Sequence, residues 1–235
     1  SHELRTPLTS LRTNIEVLAR SGQLDDKDRK ALIDDVQAEL AELTARVEQG
    51  MQAGAWGIST GLIYIPGTFA SQDELITLAR VVARHGGLYA SHMRNENTRL
   101  LESIQETLAI GERAGLPVHI SHFKASGRLA WGLAGDAIAL IRQARAAGQT
   151  VTADQYPYTA SSTSLSVLAV PRPYRQRERL LSALQDPAAA VKLRQGIAAE
   201  IKPRNRGADL VVASYAHNRN WQGKNLVQLA EQEES

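Results

Sequence analysis

Two short segments, Gly87-Leu-Tyr-Ala-Ser-His92 and Pro117-Val-His-Ile-Ser-His122, dominate the prediction of the fold. Each is an apolar run that is bounded by turn residues, ends in histidine and precedes an amphipathic helical stretch, which is the pattern of a buried strand in an α/β protein. In a barrel of parallel strands, the carboxyl ends of neighbouring strands face one shared volume in which active sites form. Two neutral imidazoles in that volume can bind zinc. The two segments therefore predict a zinc site and favour metal-assisted hydrolysis.

From Gly50 onward, short β-rich runs alternate with helical stretches, as in α/β proteins. The predicted strands are 56–63, 87–92, 117–122, 150–154 and 209–214. The predicted helices are 72–84, 98–114, 135–147 and 173–201, with a break at Pro187 in the last. These strands are too few to close the eight-stranded barrel of this class. We therefore predict an α/β fold that forms a partial (β/α) TIM-type barrel.

The first 49 residues follow a different pattern, because apolar residues recur there at spacings of three and four. The members of the two stretches are Leu4, Leu8, Leu11, Ile15 and Leu18, and Ile33, Val36, Leu40, Leu43 and Val47. Between them, Ser21-Gly-Gln-Leu-Asp-Asp26 supplies a helix end and a new N-cap. We predict that residues 1–49 form an α-helical hairpin ahead of the barrel segment, residues 51–235. One hairpin cannot bury its apolar stripe alone, so we expect a homodimer.

The amino-acid composition restricts the classes of function that the chain can have. The chain of 235 residues has no cysteine, so nitrogen and oxygen atoms must hold any metal ion, and a reducing compartment such as the cytoplasm fits. The formal net charge of +2 is too small and too diffuse to indicate nucleic acid binding. No apolar run approaches the ~18 residues that a membrane-spanning helix needs, so we expect no membrane segment here.

Three other side chains are candidates for the predicted site. Asp154 ends the fourth predicted strand, where it would act as a third metal ligand, as a general base, or as a buried acid that caps the following turn. Lys124 lies two residues beyond His122 and either holds a substrate carboxylate or remains a solvated loop lysine. Tyr156, within Asp154-Gln-Tyr-Pro-Tyr158, either donates to a substrate oxygen or belongs to an aromatic rim.

The remaining histidines of the barrel segment are weaker candidates. Strand alternation places His119 on the face opposite His122, so we interpret it as a packing residue. His85 lies at a predicted helix end and is interpreted as a C-cap. His217 follows the last predicted strand and has no assigned role.

A serine hydrolase is an alternative that the sequence supports only weakly. Gly57-Ile-Ser-Thr-Gly61 matches the nucleophile-elbow pattern, and Asp209 and His217 follow in the chain order of an α/β-hydrolase. That motif requires a helix directly after the serine. Here Leu62-Ile-Tyr-Ile-Pro66 is predicted to continue as extended chain.

Four segments together resemble the N-acyl-D-amino-acid deacylases, the D-aminoacylases of the zinc amidohydrolase superfamily. They are Gly54-Ala-Trp-Gly-Ile-Ser-Thr-Gly-Leu-Ile-Tyr64, Tyr89-Ala-Ser-His-Met-Arg-Asn-Glu96, Pro117-Val-His-Ile-Ser-His-Phe-Lys124 and Asp154-Gln-Tyr-Pro-Tyr158. The resemblance implies that His92 and His122 bind zinc, and that Lys124 and Tyr156 hold the substrate carboxylate. It implies hydrolysis of a small-molecule N-acyl-D-amino acid to the free acid and the amino acid.

The same resemblance implies that parts of the family's site are missing. The family's H-x-H metal pair and its bridging cysteine lie upstream of the position that matches Met51, and its catalytic aspartate lies beyond the position that matches Ser235. By this pattern Asp154 belongs to the substrate-side motif and is not that aspartate. We therefore expect this chain alone to be nearly inactive.

Residues 1–49 resemble another family, because Ser1-His-Glu-Leu-Arg-Thr-Pro-Leu8 is similar to the phosphoacceptor box in the dimerisation hairpin of sensor histidine kinases. The resemblance implies that His2 is phosphorylated, that Glu3 activates its imidazole and that Thr6 assists dephosphorylation. It implies a homodimer through residues 1–49, with a response regulator as the recipient of the phosphate. A two-component signalling module is therefore an alternative function, and a non-native chimera without activity is a third.

Overall fold

The computed structural model of the protein describes residues 26–233. These residues form two compact units, one made of residues 26–126 and 130–156 and the other of residues 127–129 and 157–233. Among the described residues, no helix combines the length and the apolar character needed to cross a membrane.

The first unit contains a four-stranded parallel sheet with the strand order β1-β2-β3-β4. Its elements are α1 (Asp26–Gln52), β1 (Gly57–Gly61), α2 (Gln72–Arg84), β2 (Leu88–His92), α3 (Leu100–Ala114), β3 (Val118–Ile120), α4 (Ala134–Ala146) and β4 (Val151–Ala153). Because strand order follows chain order, α2, α3 and α4 are crossovers between neighbouring parallel strands. The predicted α/β class, with consecutive β/α units behind an α-helical segment, is confirmed.

One face of the sheet packs against the helices and forms the core. Tyr89, Val118, Ile120 and Val151 are almost fully buried on this face, and Ile104 of α3 packs in the same cluster. Burial of apolar surface here is the main stabilising contribution to the unit.

The opposite face of the sheet is polar and partly exposed. Ser59, Ala90, His119 and Thr152 lie side by side across the four strands, and each is half-buried or exposed. In a closed barrel the corresponding face turns inward. His92 lies on this face, at its carboxyl end.

Local signals determine where the helices begin and end. α2 begins after Ser71, whose side chain accepts a hydrogen bond from the Glu74 N–H while the Glu74 carboxylate accepts one from the Ser71 N–H, forming a capping box. α3 ends at Gly115, which has the left-handed φ of 75° that glycine adopts without a side-chain clash. The predicted helices 72–84 and 98–114 therefore agree with the structure to within two residues.

Helix α1 packs against the rest of the first unit at its carboxyl half. Leu43 is only 3% exposed and packs on Leu78 of α2, while Ile33 is 41% exposed. The apolar stripe of α1 was the basis for predicting a dimer, and part of it is thus buried against α2 of the same chain. Residues 1–25, including the first arm of the predicted hairpin, lie outside the described residues, and the domain boundary near residue 50 stays a prediction.

The regular secondary structure described in the second unit is helical. Its α-helices are α5 (Leu165–Ala169), α6 (Arg177–Gln185), α7 (Pro187–Ile201) and α8 (Leu226–Glu233). Val170, Ala183 and Leu193 form its small core. The predicted break at Pro187 is confirmed. Asp186 follows the end of α6 and caps α7, because its side chain accepts hydrogen bonds from the N–H groups of Ala188 and Ala189.

Two strand predictions need correction. The predicted strand 209–214 is wrong, because the segment forms only an isolated antiparallel bridge between Val211 and Asn225. Val211 is exposed, so this apolar run is not buried as a central strand requires. The predicted strand 117–122 is too long, because β3 ends at Ile120 and the chain turns before His122.

Candidate metal centre

His92 and His122 meet at the carboxyl end of the sheet. His92 is the last residue of β2, and His122 lies two residues beyond β3. The centroids of their rings are 4.3 Å apart and the ring planes are inclined at 79°. Both rings are partly buried. The structure thus brings the two predicted ligands together.

Glu96 is a third potential metal ligand at this point, and it was not among the residues predicted from the sequence. Its side chain is buried, with the residue 7% exposed, and its Oε1 lies 2.9 Å from Nδ1 of His122. One donor atom from each of His92, Glu96 and His122 lies within 4.8 Å of the other two. Two imidazole nitrogens and one carboxylate oxygen are a donor set that zinc binds, so the residues present fit that ion. The signal in the sequence was an acid four residues beyond His92.

Lys124 compensates the charge of the buried Glu96 carboxylate. Its Nζ donates to Oε1 of Glu96 at 2.6 Å, donates to the backbone oxygen of His122 at 2.9 Å and lies 2.8 Å from Nδ1 of His122. An ammonium group has three protons to donate, and two of them bind these oxygen acceptors. Burial of a carboxylate is costly unless it is paired and hydrogen-bonded in this way.

Two tyrosines lie beside this cluster. Nζ of Lys124 is 5.5 Å from the ring centroid of Tyr156, within the range of a cation–π contact. The structure therefore places the two predicted substrate-binding residues next to each other. Tyr64, which had no predicted role, packs edge-on against His92 with ring centroids 5.0 Å apart.

Arg94 holds the loop that carries Tyr64. Its guanidinium donates to the backbone oxygens of Thr68 at 2.8 Å and Ala70 at 2.9 Å. It also pairs with Glu106 of α3 through Nε and Nη2. Both partners of this ion pair are largely buried. Arg94 therefore links the loop after β1 to helix α3 through charge-assisted hydrogen bonds.

Asp154 contacts two histidines without joining the cluster of three donors. Its Oδ2 lies 2.7 Å from Nε2 of His119, and its Oδ1 accepts a 2.5 Å hydrogen bond from the backbone N–H of His122. The hydrogen bond with His119 holds the pKa of Asp154 below its usual value. Asp154 thus caps the turn that follows β3 and not, as predicted, the turn that follows Asp154 itself, and its side chain is 59% exposed and not buried.

The three remaining histidines within residues 26–233 have structural partners. His119, predicted to pack, instead places Nδ1 2.8 Å from Oγ1 of Thr152 in addition to its contact with Asp154. His85 is the C-cap residue of α2, as predicted, and its Nε2 lies 2.7 Å from Oε1 of Glu48. His217 packs edge-on against Tyr215.

The nucleophile-elbow hypothesis finds no support in the structure. Ser59 lies in the middle of β1 and not at a sharp turn into a helix. Asp209 pairs with Arg128 at 3.0 Å. His2, Glu3 and Thr6, the predicted phosphoacceptor residues, lie outside the described residues.

Comparison with known proteins identifies relatives for both parts of the chain. The family model of the His Kinase A (phospho-acceptor) domain matches residues 1–51. D-aminoacylase of Alcaligenes xylosoxydans xylosoxydans is 39% identical over 142 residues, 58% of this chain and 29% of the relative. N-acyl-D-glutamate deacylase of the same organism is 47% identical over 115 residues, 49% of this chain and 24% of the relative.

Solved structures give the same result for the α/β part. A crystal structure of D-aminoacylase, described as defining a novel subset of amidohydrolases, matches with a TM-score of 0.54 and 34% identity over 68% of this chain and 36% of that chain. The N-acyl-D-glutamate deacylase of Bordetella bronchiseptica, solved with zinc and a phosphonate inhibitor, matches with a TM-score of 0.54 and 31% identity over 70% of this chain and 41% of that chain.

The chain is much shorter than these relatives, because it spans 24–29% of the length of the curated proteins that it matches. The match to the His Kinase A (phospho-acceptor) domain ends at residue 51. The chain therefore joins a His Kinase A match at its start to sequence that is homologous to the D-aminoacylases, which are amidohydrolases.

Proposed function

We propose that the α/β part of this chain contributes one side of a zinc-dependent active site that hydrolyses N-acyl-D-amino acids. The observation that carries this proposal is the convergence of His92, Glu96 and His122 at the carboxyl end of the parallel sheet. Relatives named as D-aminoacylase and N-acyl-D-glutamate deacylase, the latter also solved with zinc, support the metal and the substrate class.

His92, Glu96 and His122 would hold the zinc ion. Zinc bound there supplies Lewis-acid polarisation of the amide carbonyl. Burial lowers the pKa of His92, so that its imidazole is neutral near pH 7 and has a lone pair to offer. Nδ1 of His92 lies 3.2 Å from the backbone oxygen of Met93. A proton on Nδ1 would make that hydrogen bond and leave Nε2 as the ligand atom.

Lys124 and Tyr156 would bind the carboxylate of the substrate. Lys124 offers an ammonium group and Tyr156 a phenol beside it, and both groups donate hydrogen bonds to carboxylates. Lys124 neutralises Glu96 in the structure.

A second function is favoured by the family match over residues 1–51. We propose that His2 accepts a phosphoryl group, with Glu3 as the acid that activates its imidazole and Thr6 as a helper in dephosphorylation. The same segment would form a homodimer and pass the phosphate to a response regulator. Both functions can reside in one chain, because they use separate residues.

Zinc binding tests the first proposal. Calorimetric titration of the chelator-treated full chain should show one zinc site, and alanine at His92, Glu96 or His122 should weaken zinc binding by at least about tenfold, the minimum loss for groups that organise a metal site. His217→Ala is the matched control and should bind zinc like the wild type. Equal affinity in all four variants, or no zinc binding by the wild type, would contradict the proposal.

The pH dependence of His92 is a second test of the same site. Because burial lowers the pKa of His92 below 6.5, its ring proton signals in the zinc-free protein should titrate with a midpoint below that value. Glu96→Gln should lower the midpoint further, because the charge of Glu96 raises the pKa of His92. Glu112→Gln, on α3, is the control and should leave the midpoint unchanged.

The sign of the associated stability change follows from linkage. The folded state holds the proton on His92 less tightly than the unfolded chain, so the free energy of unfolding should fall as the pH is lowered through about 6.5. A His92 midpoint at or above that of the unfolded chain would refute this account of the ring's environment.

Phosphotransfer tests the second function. The full chain should become labelled when it is incubated with radiolabelled ATP and a separate histidine kinase ATP-binding domain, because the match supplies only the phosphoacceptor segment. His2→Gln should abolish the label and His85→Gln should retain it. Label that persists in His2→Gln, or none on the wild type, would exclude His2 as the acceptor.

A further inference from the structure

The direction of the His122 ring is not what strand pairing alone would give. In the register of β2 and β3, Ser91 pairs with Ile120, so an extended chain would place Ser121 beside His92 and His122 beside Met93. Met93 is fully buried on the helix side of the sheet. Extended geometry would thus send the His122 ring to the face opposite His92.

The backbone conformation of His122 departs from the extended geometry. His122 has a φ of 39°, in the left-handed region that residues with a side chain rarely adopt. This conformation ends the alternation and brings the ring to within 4.3 Å of the His92 ring. A conformation of this kind persists only where the surroundings hold it in place.

Asp154 supplies those surroundings from the next strand. Its carboxylate Oδ1 accepts the His122 N–H at 2.5 Å, and its backbone oxygen accepts the Phe123 N–H at 2.8 Å. One residue therefore binds two consecutive N–H groups of the turn.

His119 in turn fixes the Asp154 carboxylate. Nε2 of His119 lies 2.7 Å from Oδ2 of Asp154, and Nδ1 lies 2.8 Å from Oγ1 of Thr152. With a proton on Nε2, the ring donates to the Asp154 carboxylate while Nδ1 faces the Thr152 hydroxyl, so both ring nitrogens have a polar partner. His119 and Thr152 are direct partners across β3 and β4, so this arrangement rests on the sheet itself.

From these contacts we propose that Asp154, oriented by His119, is a positioning residue that holds His122 in the left-handed turn and so delivers its imidazole to His92 and Glu96. The proposal rests on the proposed metal site for its consequence, but not for its geometry. The Asp154 carboxylate acts here on the backbone N–H of His122, whereas the carboxylate of a metal ligand or a general base would contact the metal ion or the reacting molecule.

The test compares two substitutions of Asp154 in the full chain. Asp154→Asn keeps an oxygen that can accept the His122 N–H, and Asp154→Ala removes it. In the zinc-free protein, hydrogen exchange at the His122 amide should accelerate at least tenfold in Asp154→Ala and stay near the wild-type rate in Asp154→Asn. Zinc affinity should fall by about 10- to 100-fold in Asp154→Ala, as for loss of a residue that orients a metal ligand, and should be largely restored in Asp154→Asn.

The controls separate the possible outcomes. Asp209→Ala removes another paired aspartate and should change neither measurement. If Asp154→Asn loses as much zinc affinity as Asp154→Ala, Asp154 is a ligand or acts through its charge, and the proposal is wrong. It is also wrong if the His122 amide is equally protected in Asp154→Ala. If the wild type binds no zinc, the proposed function fails, and the exchange measurement still decides whether Asp154 holds the turn.

Discussion

The pairing of β2 with β3 is the constraint on which the candidate site depends. Parallel strands place equivalent positions side by side and send consecutive side chains to opposite faces. The two metal-binding candidates are one position out of register, because Ser91 pairs with Ile120 and His92 therefore lies beside Ser121. A regular sheet would separate the two imidazoles. The two imidazoles meet because the chain makes a left-handed turn at His122. Asp154 contacts the backbone of that turn.

The electrostatics of the candidate site favours a cation. Glu96 is a buried carboxylate with two imidazoles within reach, and removing such a charge from water costs several kcal/mol unless a positive group compensates it. Lys124 provides that compensation at 2.6 Å. The burial that lowers the pKa of His92 disfavours a positive charge on its ring, so the imidazole keeps a lone pair for a metal ion. The same surroundings that stabilise the ammonium group would accept a divalent ion.

The sequence predicted those features that are determined locally. The predicted start of the helix at residue 72, the predicted end at residue 114 and the predicted break at Pro187 agree with the structure. Each is determined by neighbouring residues: the capping box of Ser71, the left-handed Gly115 and the Asp186 cap. The strand at 209–214 could not be excluded from the sequence, because an apolar run of that length has the same composition whether it is buried or, like Val211, exposed. Glu96 was missed because a loop residue acquires its role through contacts made in the folded chain. The turn at His122 was missed because alternation holds only as far as the strand extends, and β3 ends at Ile120.

X-ray absorption at the zinc K edge, on the full chain loaded with one equivalent of zinc, tests the central claim most directly. The account predicts nitrogen and oxygen neighbours at about 2.0–2.2 Å, the usual zinc distances to imidazole and carboxylate, with outer-shell scattering from two imidazoles that drops to one in His122→Ala. Zinc bound without imidazole scattering, or a spectrum that His122→Ala leaves unchanged, would contradict it.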